Sequence, residues 1–220
     1  MFINQPNMKK ALLLLIGLLA LNFSTAQDKK IGIIGGANYS TIVGDIRDFD
    51  EFNITRRISF HLGGFANFPL SEKWTFSPRI TFSSQGTNTE VNEDLVIVVD
   101  PQNNSPFLST SEISNYLTIP LLIKYHLSEK VSLNFGPQIS FLLNAVSIVK
   151  DRGIEVNRFE SSGDFRLDYG GQIGVAYNVS TALFIELGYF QGFSNLTRAG
   201  LTDFTTNNSV FQLSIGYTLF

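Results

Sequence analysis

The sequence has 220 residues, a formal net charge of −3 at pH 7 and no cysteine. It therefore forms no disulfide and no cysteine-ligated metal site, and its charge gives no support for a nucleic acid partner. Charged residues make up only 16% of the chain, well below the roughly 25% of soluble proteins. Part of the surface must therefore be unusually apolar.

The first 26 residues have the pattern of a secretory signal peptide. Two lysines precede an apolar run over residues 11–21, and the small residues Ser-Thr-Ala end at Ala26. The run is shorter than the roughly 20 residues that a membrane-spanning helix needs, which favours a cleaved signal over an anchor. We predict a signal peptide over 1–26 and one domain over 27–220.

From residue 30 onward, apolar and polar residues alternate in eight runs, with the period of a β-strand. In chain order the runs span 30–40, 58–68, 74–83, 116–127, 131–143, 164–177, 182–190 and 210–220. The polar face of each run consists mostly of Gly, Ser, Thr, Asn and Gln. Such residues suit the interior of a narrow barrel better than a surface in water, which normally carries Lys and Glu.

The connections between the runs are alternately short and long. Hairpin-sized turns follow the second, fourth and sixth runs, whereas the other connections are long and polar: 41–57, 84–115, 144–163 and 191–208. This asymmetry is typical of outer-membrane barrels, and runs of about ten residues fit a tilted membrane crossing. We predict an all-β fold, an eight-stranded antiparallel up-and-down transmembrane β-barrel whose last strand pairs with its first.

The alternative is a soluble lipocalin-like barrel, in which the apolar faces would line a ligand cavity. Two features complicate the membrane barrel. Pro78, Pro120 and Pro137 fall inside three adjacent runs, where we expect bulges or unbonded positions. The long second loop contains an apolar stretch at Leu95–Val99 that could form an extra hairpin above the membrane.

The sequence also resembles a known family. The central stretch "NYLTIPLLIKYHL", with the pattern Tyr116 to Leu122, and the following "VSLNFGPQISFLL", with Gly136-Pro137, are similar to the PorT-like outer-membrane barrels of the Bacteroidetes. The stretch "IGIIGGANYSTI" and the last strand extend the similarity over the mature chain. The resemblance implies an outer-membrane location in a Gram-negative bacterium and an accessory role in protein secretion, with which the founding member is associated. The apolar strand faces predict outer-membrane lipid as a partner, and an outer-membrane barrel requires the barrel assembly machinery. The resemblance adds components of a secretion system as partners.

If the apolar faces contact lipid, one set of charged residues points into the barrel: Arg79, Lys124, Arg166, Asp168 and Glu186, with His61 on the same side of its strand. Unpaired charges in a narrow interior are costly, so we predict that they form a salt-bridged plug with a structural role. The alternative is a charged pore lining and a porin-like channel for small solutes. An eight-stranded lumen is narrow for a channel.

The sequence indicates no enzyme, cofactor or metal site. His61 and His126 are its two histidines, and no serine motif marks a catalytic partner for either. The acidic stretch over 45–51 lacks the ligand order of an EF-hand loop. Aromatic residues near the ends of the runs are typical of the girdles at membrane interfaces: Trp74, Tyr116, Tyr125, Tyr177 and Tyr189. We therefore predict a non-enzymatic envelope protein.

Overall fold

A computed structural model of the protein describes residues 29–45, 52–91, 108–151, 153–162, 166–196 and 205–220. The predicted signal peptide and the predicted hairpin at Leu95–Val99 lie outside these ranges. Within them, no helix is long and apolar enough to cross a membrane.

The described chain forms nine antiparallel strands: β1 (Lys30–Gly44), β2 (Phe52–Pro69), β3 (Trp74–Val91), β4 (Leu108–His126), β5 (Val131–Asp151), β6 (Ile154–Ser162), β7 (Leu167–Asn178), β8 (Leu183–Gly192) and β9 (Thr206–Thr218). Eight of them close into a ring in chain order, with β6 left out and β9 paired to β1. The predicted eight-stranded antiparallel barrel is therefore confirmed. Closure leaves no sheet edge in lipid, where unpaired backbone groups cost several kcal/mol.

The ninth strand corrects one prediction. Residues 144–163 were expected to be a loop, but β5 continues to Asp151 and turns at Gly153, whose φ of +84° is in the left-handed region. The chain then returns as β6 along the distal half of β5, while β7 pairs with the proximal half, Val131–Phe141. The β-branched residues of "AVSIVKDRGIEV" support this hairpin, because they favour strands.

The two faces of β2 and β3 point as the alternation predicts. On β2 the exposed fractions of Ile58, Phe60 and Leu62 are 76%, 56% and 61%, whereas His61 is 4% exposed. On β3 the side chains of Ser77 and Arg79 are buried, and Ile80 is 53% exposed. Apolar side chains therefore cover the outside of the ring and polar ones fill it, which is the opposite of a soluble barrel.

Aromatic residues lie at both ends of this apolar outer face. Trp74 and Tyr125 pack with ring centroids 4.6 Å apart near the short turns, and Tyr189 packs on Phe211 at 4.8 Å near the long loops. Tyr116 does not belong to either row, because it is 3% exposed and points into the barrel. Its prediction as a girdle residue was wrong: Tyr116 has the same parity on β4 as the buried Thr118, so the alternation itself places it on the inward face.

The three prolines are accommodated without a change of register. The β3–β4 ladder passes from the pair Pro78 and Leu121 directly to Thr81 and Thr118. The β4–β5 ladder likewise passes from Pro120 and Gln138 to Ile123 and Phe135, across the position of Pro137. Bulges or unbonded positions were expected at the prolines, and the structure has unbonded positions, since proline has no N–H to donate. The bulges occur elsewhere.

The β1–β9 seam can be tested with cysteines, because the chain has none of its own. Ile33 lies directly opposite Tyr217, and both side chains are exposed on the outer face. The pair Ile33→Cys and Tyr217→Cys should form a disulfide in the folded barrel, seen as a mobility shift on a denaturing gel that reductant abolishes. In the control, Ile33→Cys with Leu213→Cys, the thiols lie about 13 Å apart along the strand. Equal cross-linking of both pairs would contradict the register.

Candidate functional site

The strongest interaction inside the barrel joins opposite walls. Arg79 on β3 donates from Nη1 to Oε1 of Glu186 on β8 at 2.7 Å, and from Nη2 to Oε2 at 2.6 Å. The side chains are 4% and 2% exposed. Asn134 on β5 adds a third bond, from Nδ2 to Oε2 of Glu186 at 2.6 Å. A bidentate pair with a further donor is the geometry that compensates the desolvation of two buried charges.

Lys124 lies beside this pair and has a different environment. Its ammonium is 4.8 Å from the ring centroid of Phe184 and 5.6 Å from that of Phe65. The two rings pack edge to face at 5.4 Å. Within the described part of the chain, no carboxylate lies within 4.0 Å of the Lys124 ammonium. Lys124 is therefore held by the faces of two aromatic rings rather than by an ion pair.

Two glycines make room for these rings. A Cβ atom added to Gly216 would collide with the ring of Phe184, and one added to Gly32 would collide with that of Phe65. Both glycines point inward, on the paired strands β9 and β1. The glycine-rich start of the first strand thus has a packing role, which its sequence alone did not reveal.

Above the charged layer, His61 forms a second polar layer. Its Nδ1 is 2.8 Å from Oδ1 of Asn38, and its Nε2 is 2.9 Å from Oγ of Ser214. Sequence reasoning missed Ser214, which is 153 residues away in the chain and is brought to His61 only by the closure of the ring. The alternation of the last strand places Ser214 on the inward face, and this was the one sign in the sequence that it could contact His61.

The arrangement of Ser214, His61 and Asn38 has the composition of a catalytic triad. All three residues are at most 4% exposed, and the cavity beside His61 and Ser214 has a volume of only about 10 Å³. That is about the space of one water molecule. A nucleophile enclosed in this way has no room for a substrate, so the geometry serves packing of the interior.

Asp168 belongs to a separate cluster nearer the long loops. It accepts hydrogen bonds from Ser194 Oγ and, at 2.7 Å, from Asn208 Nδ2. Asn208 is also 3.3 Å from the hydroxyl of Tyr116. Arg166 is exposed at the rim, where its guanidinium donates to the carbonyl of Leu196 at 3.3 Å.

The five predicted site residues are therefore divided among three places. Arg79, Lys124 and Glu186 are together, Asp168 is held by neutral partners, and Arg166 makes no ion pair with a described residue. Strand parity gave the side of the wall on which each residue lies, but not its height in the barrel. The described residues contain no cluster of His, Asp and Glu that could hold a metal ion.

Beyond the outer end of the ring, the β5–β6 hairpin carries its own charges. Arg158 donates from Nε to Oε1 of Glu155 at 2.9 Å, and its Nη1 is 3.5 Å from Glu160. The hydrogen bond from Arg158 lowers the pKa of Glu155. These side chains are exposed to solvent, so the pairs stabilise the hairpin little.

The polar layers separate two cavities at the ends of the barrel. The cavity at the short-turn end has a volume of about 660 Å³ and is lined by Lys124, His126 and Phe184 among others. The cavity at the long-loop end has about 400 Å³ and is lined by Tyr116, Asp168 and Arg166 among others. Since outer-membrane barrels place their short turns in the periplasm, the larger cavity faces that compartment.

A closed ring with an apolar outer face and a polar filling defines an integral outer-membrane β-barrel protein. Residues 25–198 match the family described as outer membrane protein beta-barrel domain, and the chain belongs to this family. Its location is the outer membrane. A comparison with curated proteins gave no match.

Solved structures of outer-membrane proteins are similar to this chain, and the first of them shares its fold. The attachment invasion locus protein Ail of Yersinia pestis, in complex with the heparin analogue sucrose octasulfate, has 13% sequence identity and a TM-score of 0.50, over 88% of this chain and 100% of Ail. Neisserial surface protein A has 10% identity and a TM-score of 0.46, over 88% and 100%. OprG of Pseudomonas aeruginosa has 13% identity and a TM-score of 0.38, over 88% and 97%.

The plug layer can be tested by removing one charge. Glu186→Gln leaves the Arg79 guanidinium buried without a counterion, and should lower the free energy of unfolding by about 3–5 kcal/mol. Urea unfolding in lipid vesicles, followed by the gel mobility of unboiled protein, measures this. The matched control is Glu160→Gln on the exposed hairpin, which should change little.

The double variant Arg79→Met with Glu186→Met distinguishes pairing from packing. It removes both charges and keeps apolar volume, so it should recover much of the stability that Glu186→Gln loses. A double variant as unstable as the sum of its two single variants would show that the charges do not interact.

Proposed function

We propose that this protein is a non-enzymatic, non-conducting outer-membrane barrel that acts through its two ends rather than through its lumen. The observation that carries the proposal is the polar filling of the interior. The bidentate pair of Arg79 and Glu186 crosses the barrel, and the His61 layer lies directly above it with a void of about 10 Å³. Hydrated ions and solutes need far more space than one water molecule.

The porin-like alternative requires a continuous lumen. The narrow eight-stranded ring is filled by side chains, and the two end cavities of about 660 and 400 Å³ are separated by these layers. An enzymatic role is opposed by the burial of Ser214 and His61, since a substrate must reach the nucleophile.

Planar bilayer recordings test the closed lumen. The purified barrel should give no discrete conductance steps, because the plug leaves no aqueous path. A mock preparation from cells that lack the protein is the control for contaminating porins. Reproducible steps that appear only with the protein would contradict the proposal and favour the channel.

We further propose that the protein is of the PorT-like type, comes from a member of the Bacteroidetes, and is exported by a signal peptide cleaved after Ala26. The two parts of the resemblance are neighbours in space, which supports treating them as one unit. A Cβ at Gly136 would collide with the carbonyl oxygen of Leu121, so the glycine permits β4 and β5 to approach beside Pro120 and Pro137. On this reading the barrel is an accessory component of a protein secretion system and is inserted by the barrel assembly machinery.

Deletion of the gene tests the secretion role. Secreted proteins should accumulate in the periplasm of the deletion strain, and a plasmid copy should restore their release. Complementation with a plasmid copy of the variant Glu160→Gln, whose ring is unchanged, is the control for expression from the plasmid. Normal secretion in the deletion strain would contradict this role without affecting the assignment of the barrel.

A further inference from the structure

The periplasmic cavity has an unbalanced charge at its floor. Lys124 is buried at this floor and Arg79 in the layer beside it. Glu186, the carboxylate of this layer among the described residues, has its two oxygens bound by Arg79 and Asn134. Lys124 is 6% exposed, and in the described residues its ammonium contacts only the faces of Phe65 and Phe184. One positive charge of this layer therefore has no carboxylate partner.

The rim of the same cavity is balanced. Lys30 and Lys130 line it together with Glu72 and Glu129, all four of them exposed. An anion would therefore gain little binding free energy at the rim, where water screens the charges. At the floor, the low dielectric makes the attraction for an anion stronger, and no carboxylate of the described residues is in contact with the Lys124 ammonium.

Lys124 can be reached from the periplasm. It lies three residues before Leu127, the first residue after β4, which corresponds to about 10 Å along a strand. Both Lys124 and Phe184 line the cavity of about 660 Å³, a volume in the range of small-molecule sites. Asn67 also lines it, and its buried Oδ1 has no hydrogen-bond donor among the described residues.

We propose that this cavity binds a carboxylate at Lys124 from the periplasmic side. The carboxylate accepts hydrogen bonds from the ammonium, while the attached carbon chain packs on the apolar lining of Ala176, Leu183 and Phe184. A single buried ammonium matches a singly charged group, and it lacks the several donors that bind a phosphate dianion. The carboxylate can belong to a free short-chain acid or to the C-terminus of a peptide.

Isothermal titration of the folded barrel in a zwitterionic detergent tests the proposal. The probes are hexanoate and the tripeptide Ala-Ala-Phe, each compared with its own amide, hexanamide or the amidated tripeptide. At least one carboxylate should bind about tenfold or more tightly than its amide, because a charge-assisted bond is lost in the amide. Binding of hexanoate identifies free acids as ligands, and binding of the tripeptide alone identifies peptide termini.

Variants assign the site to the floor of the cavity. Lys124→Met keeps the length of the side chain and removes its charge, so it should weaken carboxylate binding about tenfold or more. Lys130→Gln removes a charge from the rim and should leave binding within about twofold, since exposed charges are screened. The mobility of unboiled protein shows whether each variant is folded.

A second measurement needs no variant. Hexanoate or the tripeptide should slow reductive methylation of Lys124 in the wild-type barrel, but not that of Lys130, as mapped by mass spectrometry. Equal affinity for carboxylate and amide, or no binding and no protection at millimolar concentration, would overturn the proposal. Because these readouts concern the isolated barrel, they do not depend on the secretion role.

Discussion

Closure of the backbone hydrogen bonds is the constraint on which the rest of this structure depends. In lipid an unpaired N–H or C=O group costs several kcal/mol, so a sheet that spans the membrane must join its first and last strands. Here β9 fulfils this by pairing with β1 from Thr206 to Thr218. The apolar alternation of the last strand follows directly, since one of its faces must meet lipid and the other must meet the interior of the ring. The unbonded positions near the prolines can be tolerated because the register on either side of each gap is unchanged.

Closure with eight strands also fixes the interior. The ring is just wide enough for side chains, so polar residues have to satisfy one another across it. Arg79 reaches Glu186 on the opposite wall, and His61 connects Asn38 to Ser214. Where aromatic rings enter, as with Phe65 and Phe184, glycines on neighbouring strands provide the space. The same narrowness places inward charges in a desolvated interior, where the pair of Arg79 and Glu186 depends on good geometry.

These constraints explain which features the sequence could predict. The period of two determines which side of the wall a residue faces, so the ring and the inward position of Arg79 and Glu186 followed from pattern alone. Height along the barrel depends on register and tilt, which the pattern does not contain. For that reason Arg166 and Asp168 were grouped with residues from which they are separate. Tyr116 was placed in the aromatic girdle because it begins a run, although its parity on β4 is that of the inward face. The hairpin of β5 and β6 was missed because β6 is exposed over residues 154–161, and its apolar residues Ile154, Val156 and Phe159 do not keep a regular alternation.

The filled interior has a consequence for how the two ends of the protein can be related. With the lumen closed as proposed, a ligand in the periplasmic cavity does not exchange through the barrel with the cavity at the long-loop end, since the Arg79 and His61 layers lie between them. Any coupling between the ends would have to pass through the wall or through the plug itself. The plug offers one such element: Glu186 is shared by Arg79 and Asn134, and its negative charge also acts on the nearby Lys124. An anion bound at Lys124 would therefore repel the carboxylate of Glu186, and Arg79 would then contribute more to keeping that carboxylate ionised. The charge of Lys124 at the floor of the cavity and the ion pair of Arg79 and Glu186 that crosses the interior therefore interact electrostatically.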